Sequence, residues 1–134
     1  DKGIQLFSTR VETSPESVTQ IPITEEIRSI AYTEDHMGVV TDNVEGQDPY
    51  SLKIYDKEGG LVFERTFNYQ YTGFDIDGGL VLLYNDSSCK VFNMTGTEKY
   101  NGTFDFTVNK VSAGRFPGTL LVMGPQMMME IKLQ

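Results

Sequence analysis

The repetition of apolar positions is the feature of this 134-residue chain that most restricts its fold. Four apolar or aromatic positions, spaced by 4, 3 and 2 residues, recur at an offset of 44 residues and again 37 residues later. They are Ile23, Ile27, Ile30 and Tyr32, then Phe67, Tyr71, Phe74 and Ile76, then Phe104, Val108, Val111 and Ala113. Self-similarity at such a period indicates a fold built from repeated units.

Two more apolar runs follow each copy of this pattern. The first run begins at a glycine, in Gly38, Gly79 and Gly118. The second run aligns across four copies as Ile4/Leu52/Cys89/Met129, Leu6/Ile54/Val91/Ile131 and Phe7/Tyr55/Phe92/Lys132. No stretch keeps helical spacing over three turns, whereas β-branched and aromatic residues alternate throughout, which predicts strands. About four short strands in roughly 37 to 44 residues are typical of a β-propeller blade.

The repeat predicts one all-β domain made of propeller blades. With strands named A to D from the channel outward, the order is CD-ABCD-ABCD-ABC, in units of about 1–26, 27–68, 69–105 and 106–134. A closed propeller has at least four blades, so the ring is incomplete in this chain. We expect the remaining blades from a longer parent chain or a second copy, with an open sandwich of sheets as the alternative. Gln134 is expected near the native end, with further blades before Asp1.

The outermost strands are the least regular part of the pattern. The first of them runs from Val18 to Ile23 after a loop over residues 9–17, and its Pro22 is tolerated only on an edge strand. In the third, the alignment places Asn101-Gly102 inside the strand, although this dipeptide usually marks a hairpin turn. We therefore expect a bulged or weak outer edge there.

These repeats resemble the WD-repeat and quinoprotein-like propeller superfamilies, and especially uncharacterised membrane-anchored propeller proteins of Gram-positive gut bacteria. The chain departs from WD repeats because it has no Trp and no Gly-His pair, and it lacks the Trp-docking motif of quinoprotein blades. The resemblance therefore implies no quinone cofactor. It implies an extracytoplasmic or cell-surface domain, anchored by a segment outside this chain, with no established activity.

Composition narrows the range of partners. The net charge of −8, from 19 acidic and 11 basic residues, opposes nucleic-acid binding and weakly favours basic surfaces. The only cysteine, Cys89, permits neither an intrachain disulfide nor a cysteine-based zinc site, and its register predicts a buried position. No apolar run approaches 18 residues, so we expect no membrane contact by this segment itself.

Asp75-Ile76-Asp77-Gly78 is the first candidate site, because two carboxylates before a glycine suggest a calcium loop. Calcium takes six to eight oxygens, however, and the sister turns do not repeat these acids. Asp77-Gly78-Gly79 is a strong tight-turn sequence, so a hairpin turn is the favoured interpretation and calcium the minor one.

Three other residues are candidates for binding. His36, the only histidine, lies in a predicted exposed turn beside two acids, without a repeated nucleophile or second titratable partner. Asp48 and Tyr50 belong to the longest B–C loop, and Tyr50 is the best candidate for an exposed aromatic contact. Met127, Met128 and Met129 are interpreted as sheet packing, with Met127 and Met129 inward and only Met128 on the other side.

The favoured function is a non-enzymatic scaffold that presents loops, above all residues 43–50, to a protein or glycan partner. The alternative is a propeller enzyme or ligand sensor with a site in the central channel. That alternative requires polar residues of the A strands, such as Arg28, Asp75 and Lys110, to converge. No cofactor is predicted.

Overall fold

The computed structural model describes residues 3–6, as backbone only, and residues 19–134. Within these ranges the chain forms thirteen strands and no helix. Its β-branched and aromatic runs account for this, since such side chains pack well on a pleated surface. The strands are β1 (Gly3–Leu6), β2 (Thr19–Pro22), β3 (Ile27–Tyr32), β4 (His36–Asp42), β5 (Tyr50–Asp56), β6 (Leu61–Phe67), β7 (Gly73–Asp77), β8 (Leu80–Tyr84), β9 (Ser88–Asn93), β10 (Glu98–Thr103), β11 (Lys110–Ala113), β12 (Thr119–Met123) and β13 (Met128–Lys132).

Neighbouring strands pair antiparallel in chain order and form four separate sheets. The first sheet contains β1 and β2, the second β3 to β6, the third β7 to β10 and the fourth β11 to β13. The sheets do not close into a ring. This confirms the predicted all-β fold of propeller blades in an incomplete ring, with two, four, four and three strands.

The hydrophobic core lies between successive sheets. Because alternate side chains of a strand point to opposite faces, Val81 and Leu83 of β8 pack toward the second sheet while Leu82 packs toward the fourth. Between the first and second sheets the buried residues are Ile21, Ile23, Val39 and Tyr55. Between the second and third sheets they are Ala31, Val40, Leu52, Ile54, Phe67, Ile76, Val81, Leu83 and Phe92. Between the third and fourth sheets they are Leu82, Cys89, Val91, Val108, Val111, Leu120 and Val122.

The turn between β7 and β8 has two central residues, Gly78 and Gly79. Asp77 pairs with Leu80 across it, and both glycines have positive φ, of 55° and 77°. Positive φ at both central positions matches the hairpin turn whose twist fits the flanking strands, and glycine adopts it without steric cost. The stretch is therefore a tight hairpin, as the sequence predicted.

The outer strands follow the expected order with shorter bounds. β2 ends at Pro22, and β10 contains Asn101 and Gly102, so this dipeptide lies inside a strand and forms no hairpin turn. The register irregularity of β10 lies between Glu98 and Tyr100. The predictions for Phe7, Ser8, the 9–17 loop and Val18 lie outside the described residues.

The predicted register of the last unit is wrong by one residue. Met128 pairs with Met123 just as Cys89 pairs with Tyr84, so Met128, and not Met129, occupies the Cys89 position. A shift of one residue moves every side chain of a strand to the opposite face. All three methionines are exposed, Met128 at 72%, so the prediction that Met127 and Met129 are buried by sheet packing is also wrong. The predicted faces are correct for Met128 and Met129, because Met129 shares a face of β13 with Ile131 and Met128 lies on the other face.

Two positions of the first repeat are not core either. Ile30 and Tyr32 are 50% and 69% exposed, although their counterparts Phe74 and Ile76 are half-buried and buried. The difference arises from the preceding sheet. The first sheet has two described strands, which cover Val39 and Tyr55 in the middle of the second sheet and leave its innermost strand open.

Candidate binding site

Loops gather at two opposite rims of the stacked sheets. In the second sheet, Asp42 pairs with Tyr50 at one end of β4, and His36 pairs with Asp56 at the other. The β4–β5 loop, residues 43–49, therefore lies on one rim, which we call the long-loop rim. The β3–β4 turn lies on the opposite rim. Strands rise about 3.3 Å per residue, so the seven residues of β4 separate the rims by roughly 20 Å.

Residues 43–49 form a loop held by its own backbone. The Asn43 side chain donates hydrogen bonds to the carbonyl oxygens of Glu45 and Asp48, the latter at 2.9 Å. The Asn43 amide donates to the carbonyl of Pro49, also at 2.9 Å. Gly46 supplies the positive φ of 78° needed to reverse the chain. These bonds fix the loop without using the side chains at its tip.

The tip presents one apolar side chain in a polar surround. Val44 is 77% exposed, and Glu45 and Gln47 beside it are exposed as well. The Asp48 carboxylate instead accepts a hydrogen bond of 2.7 Å from the Thr66 hydroxyl, so it ties the loop to β6. Sequence reasoning missed Val44. Its signal was an isolated valine between Asn43 and a run of polar residues and glycine, where no strand register requires an apolar residue.

Tyr50 supports the rim from below and is not an exposed contact, which corrects the sequence expectation. Its half-buried ring lies 5.4 Å from the Phe67 ring and 5.6 Å from the Tyr71 ring, centroid to centroid. The Tyr71 hydroxyl makes a 2.6 Å hydrogen bond with the Ser29 hydroxyl. Burial raises the pKa of Tyr71, so it stays a neutral phenol across the physiological range. The Tyr50 side chain points toward the core because Tyr50 is the first residue of strand β5 and is not part of the loop.

An ion pair lies beside this aromatic group. The Arg28 guanidinium Nε donates to the Asp42 carboxylate at 2.7 Å, and this hydrogen bond raises the pKa of Arg28. Both side chains remain accessible. Arg28 therefore interacts within its own sheet, between the first residues of β3 and the last residue of β4.

The two aspartates before Gly78 bind protein groups on the fourth sheet. Asp77 accepts a 2.9 Å hydrogen bond from the Ala113 amide, and Asp75 lies 3.9 Å from the Lys110 ammonium. In residues 3–6 and 19–134 there is no group of three or more His, Cys, Asp or Glu residues that could hold a metal ion. The pair thus connects two sheets, and of the three proposed channel residues the structure brings Asp75 and Lys110 together.

His36 lies on the rim opposite the long loop. It is half-buried and begins β4, where its amide donates to the Thr33 hydroxyl at 3.1 Å, so the expectation of an exposed turn residue is wrong. Gly38 accordingly lies inside this strand. A cavity of about 190 Å³ next to His36 is lined by Tyr32, Thr33, Glu34, Met37, Asp56 and Lys57. The structure does not bring His36 together with Asp48 and Tyr50.

Cys89 is fully buried between the third and fourth sheets, as predicted. Burial raises the pKa of its thiol to about 12. The thiolate, which is the reactive form, is therefore scarce at neutral pH. Cys89 acts as a small apolar side chain of the core.

The stacked antiparallel sheets, two of them four-stranded, with loops on two rims, define a propeller-type all-β fold. Residues 1–133 match the family model described as "Family of unknown function (DUF5711)", and the chain belongs to this family. A search of curated proteins finds no match. No helix in the described part of the chain is long and apolar enough to cross a membrane.

The solved structures that are similar to this chain include two of known architecture. The first, "Crystal structure of HIRA(644-1017)", is 9% identical with a TM-score of 0.57, and the match covers 78% of this chain and 33% of that one. The second, a gluconolactonase from Xanthomonas campestris, is 16% identical with a TM-score of 0.45, and the match covers 90% and 43%. This chain thus spans a third to under half of these structures. The HIRA similarity shows the propeller-type fold alone.

Proposed function

We propose that this chain is a non-enzymatic propeller scaffold whose 43–49 loop binds a protein or glycan partner. The observation that supports this proposal is that the residues that hold the shape of the loop are different from those that it leaves exposed. Asn43 and Asp48 hold its shape through hydrogen bonds, while the exposed Val44, Glu45 and Gln47 are left for a partner. A preordered loop loses little conformational entropy on binding. One apolar side chain surrounded by polar residues resembles the apolar centre and polar rim of a small protein interface.

The loop also favours a type of partner surface. Residues 43–49 carry two carboxylates and no Lys or Arg, within a chain of net charge −8. Complementary potential would steer a basic or amide-rich protein surface to this rim, or a glycan whose hydroxyls donate to Glu45. Only the side chains at the tip are expected to contribute strongly, because binding energy concentrates in few residues.

A loop substitution with a matched control tests this proposal. The immobilised chain is offered to a glycan array and to a panel of purified cell-surface proteins, and affinity is measured for any ligand found. Val44→Ser should weaken binding about fivefold or more, the effect of an interface residue contributing about 1 kcal/mol. Val62→Ser, which alters a valine that is 39% exposed on β6, should change affinity less than twofold, within about 0.4 kcal/mol. A ligand bound equally by both variants would place its site elsewhere.

The Asn43→Ala variant tests whether the ordered shape of the loop contributes to binding in addition to its exposed side chains. The Asn43 side chain makes its bonds to loop carbonyls, so its removal frees the loop without deleting any exposed tip group. We expect weaker binding with a slower association, because the loop must then be ordered on binding. Unchanged affinity would show that the loop is not the binding element.

The location and assembly of the scaffold form part of the proposal. We infer an extracytoplasmic position, with an anchor outside this chain, from the similarity to membrane-anchored propeller proteins of Gram-positive bacteria. The remaining blades would come from a longer parent chain or from a second copy. Protease treatment of intact cells, followed by an antibody to this chain, should remove the signal. Protection until the cells are lysed would contradict the location.

A channel site is the second candidate, favoured by one observation. Asp75 and Lys110 lie 3.9 Å apart on the innermost strands of neighbouring sheets, and both side chains are exposed. An acid and an amine so placed could bind a small zwitterionic ligand. Thermal shift with a metabolite library tests this, since a ligand of that site should stabilise the wild type and not Asp75→Asn.

A further inference from the structure

The peptide bond between Asp48 and Pro49 is the single Asp-Pro bond of the chain, and it lies in the 43–49 loop on the long-loop rim. A carboxylate can act as a nucleophile and form a covalent intermediate. Proline has no backbone N–H, so the nitrogen of this bond is tertiary. It leaves as a secondary amine, which takes up a proton readily. The bond therefore joins a built-in nucleophile to a good leaving group.

A side-chain donor is fixed on the carbonyl oxygen of this bond. The Asn43 side chain donates to the Asp48 carbonyl at 2.9 Å and also donates to the Glu45 carbonyl. Because a side-chain amide has two N–H groups, both are engaged and the Asn43 side chain is held in place. A donor held on a carbonyl oxygen stabilises the negative charge that develops there when a nucleophile adds to the carbon.

The Asp48 carboxylate is anchored through one of its two oxygens. The Thr66 hydroxyl donates to Oδ2 at 2.7 Å, and within residues 19–134 no hydrogen bond engages Oδ1. A residue that precedes proline is confined to extended backbone, and the anchored oxygen restricts the side-chain torsions. Oδ1 is thus free to reach the carbonyl carbon of its own residue, with which it can close a cyclic anhydride.

The chain on both sides of the bond is held by the second sheet. The Asn43 amide donates to the Pro49 carbonyl at 2.9 Å, and seven residue pairs join β4 to β5. Breaking the Asp48–Pro49 bond would therefore open the loop without separating the two strands. It would turn the tip that carries Val44 into a free C-terminal segment.

We propose that the chain cleaves itself between Asp48 and Pro49 in mild acid. Oδ1 of Asp48 adds to the carbonyl carbon of the same residue, while Asn43 stabilises the oxyanion. The C–N bond breaks, its electron pair stays on the Pro49 nitrogen, and the proton of the Asp48 carboxyl passes to that nitrogen. The anhydride takes up one water molecule and becomes two carboxyl groups. This reaction of the loop backbone does not depend on a ligand of the loop.

The surroundings of Asp48 let its carboxyl carry the proton that the reaction needs. The other ionisable groups of the loop and its strand ends are Asp42, Glu45 and Tyr50. Asp42 is paired with Arg28, Glu45 is exposed at the tip, and Tyr50 packs inward. The group that faces Asp48 from β6 is a hydroxyl. No salt bridge of residues 19–134 includes Asp48.

Mass spectrometry of the full chain, without any ligand, tests the reaction. The chain is kept at about pH 5, where carboxyl groups begin to protonate, and circular dichroism checks that it stays folded. Fragments 1–48 and 49–134 should appear on denaturing analysis and elute together under native conditions. The folded chain should be cut at least about tenfold faster than the chain unfolded in guanidinium chloride at the same pH. Equal or slower cleavage of the folded chain would overturn the proposal.

Two substitutions at the bond identify the reacting groups. Asp48→Asn keeps an acceptor for the Thr66 hydroxyl but has no carboxyl, so it should not be cut. Pro49→Ala removes no backbone donor and should be cut at least about tenfold more slowly, because the leaving nitrogen is then secondary. Asp86→Asn, at an exposed aspartate between β8 and β9, is the control and should keep the wild-type rate. Cleavage of Asp48→Asn at the wild-type rate would contradict the mechanism.

Two further positions test the part played by the fold. Asn43→Ala should slow cleavage at least about tenfold, less than the loss of a donor in an enclosed oxyanion hole because the loop is partly open to solvent. Thr66→Val should slow it about threefold or more, and Thr66→Ser should restore the rate, since only the hydroxyl orients the carboxylate. If Asn43→Ala does not fold, the Thr66 pair decides. Wild-type rates in Asn43→Ala and Thr66→Val would show that the loop geometry plays no part and refute the inference.

Discussion

Leu82 and Leu121 form a matched pair that tests whether the last sheet is open. Each lies in the middle strand of its blade, opposite Val91 and Glu130 respectively, at the same position of the repeat. Leu82 is fully buried against the fourth sheet, whereas Leu121 is half-buried beside Met128. The same substitution at both positions therefore compares a covered with an uncovered face.

We expect Leu82→Ala to lower the free energy of unfolding by about 3 kcal/mol, within the range of 2–5 for fully buried leucines that leave a cavity. At about 3–4 °C per kcal/mol for a chain of this size, the melting temperature should fall by about 10 °C. Leu121→Ala should cost about 1 kcal/mol, because less apolar surface is lost and solvent can fill the space. Urea unfolding monitored by circular dichroism gives both values.

The conclusion depends on the difference between the losses of unfolding free energy in the two variants. A loss of about 3 kcal/mol at both positions would mean that the fourth sheet is covered in solution, and would refute the reasoning from an open face. A loss near 1 kcal/mol at both would mean instead that the third and fourth sheets do not pack as the structure shows.

The remaining predictions concern groups between sheets. Burial raises the pKa of Cys89 from 9.0 to about 12, so the protonated thiol stabilises the fold fully below pH 9, and this contribution is lost as pH rises toward 12. Between pH 9 and 10, urea unfolding should show a loss of about 1 kcal/mol beyond that of Cys89→Ala, because the unfolded thiol is already half-ionised at pH 9; parallel curves would contradict it. Tyr71→Phe and Ser29→Ala should each cost about 1 kcal/mol and the double variant no more than the larger single loss, because all three remove one hydrogen bond. Full additivity in a double-mutant cycle would show that the two hydroxyls do not interact.

The sequence predicted the strands and their order because the apolar pattern repeats over complete units. Asp77-Gly78-Gly79 could be assigned to a turn because its residue types leave few conformations open, and both glycines do adopt positive φ. Cys89 was assigned to the core because its register neighbours are apolar in two copies. These predictions depend only on local chemistry and on periodicity.

The register error in the last unit has a physical cause. Ile76 and Val81 pair across four residues, whereas Ala113 and Leu120 pair across the six residues of a longer turn. The repeat offset is therefore 37 before that turn and 39 after it. An alignment on apolar residues chose Met129 for the Cys89 position because Met127, Met128 and Met129 are identical in type. Only strand pairing distinguishes them.

The binding rim was harder to predict than the fold. Tyr50 was expected to be exposed because it follows a polar loop, yet it is packed against Phe67 and Tyr71, which lie 17 and 21 residues further along the chain. His36 and Asp48 lie 12 residues apart in sequence and at opposite ends of β4. Burial and convergence of this kind depend on contacts between sheets, which no pattern within one strand reports.

The contacts between successive sheets differ in chemistry, although the strands themselves repeat. Between the second and third sheets, the Arg65 guanidinium lies 4.4 Å above the Phe92 ring and donates to the Gly96 carbonyl at 2.7 Å. Between the third and fourth, the Asp77 carboxylate accepts from the Ala113 amide.

These unlike contacts restrict which units can be neighbours. The repeat position of Arg65 is Gly102 in the third sheet, and a Cβ there would lie 2.4 Å from the Tyr100 hydroxyl, so an arginine would require the Tyr100 ring to move. Buried polar contacts that match one neighbour leave unpaired groups against another, and an unpaired buried group costs about 1–3 kcal/mol. Blades with the same apolar core therefore differ in how well they suit a given neighbour. The repeat explains how each sheet folds, and the few residues that break the repeat favour the neighbour that each sheet has here.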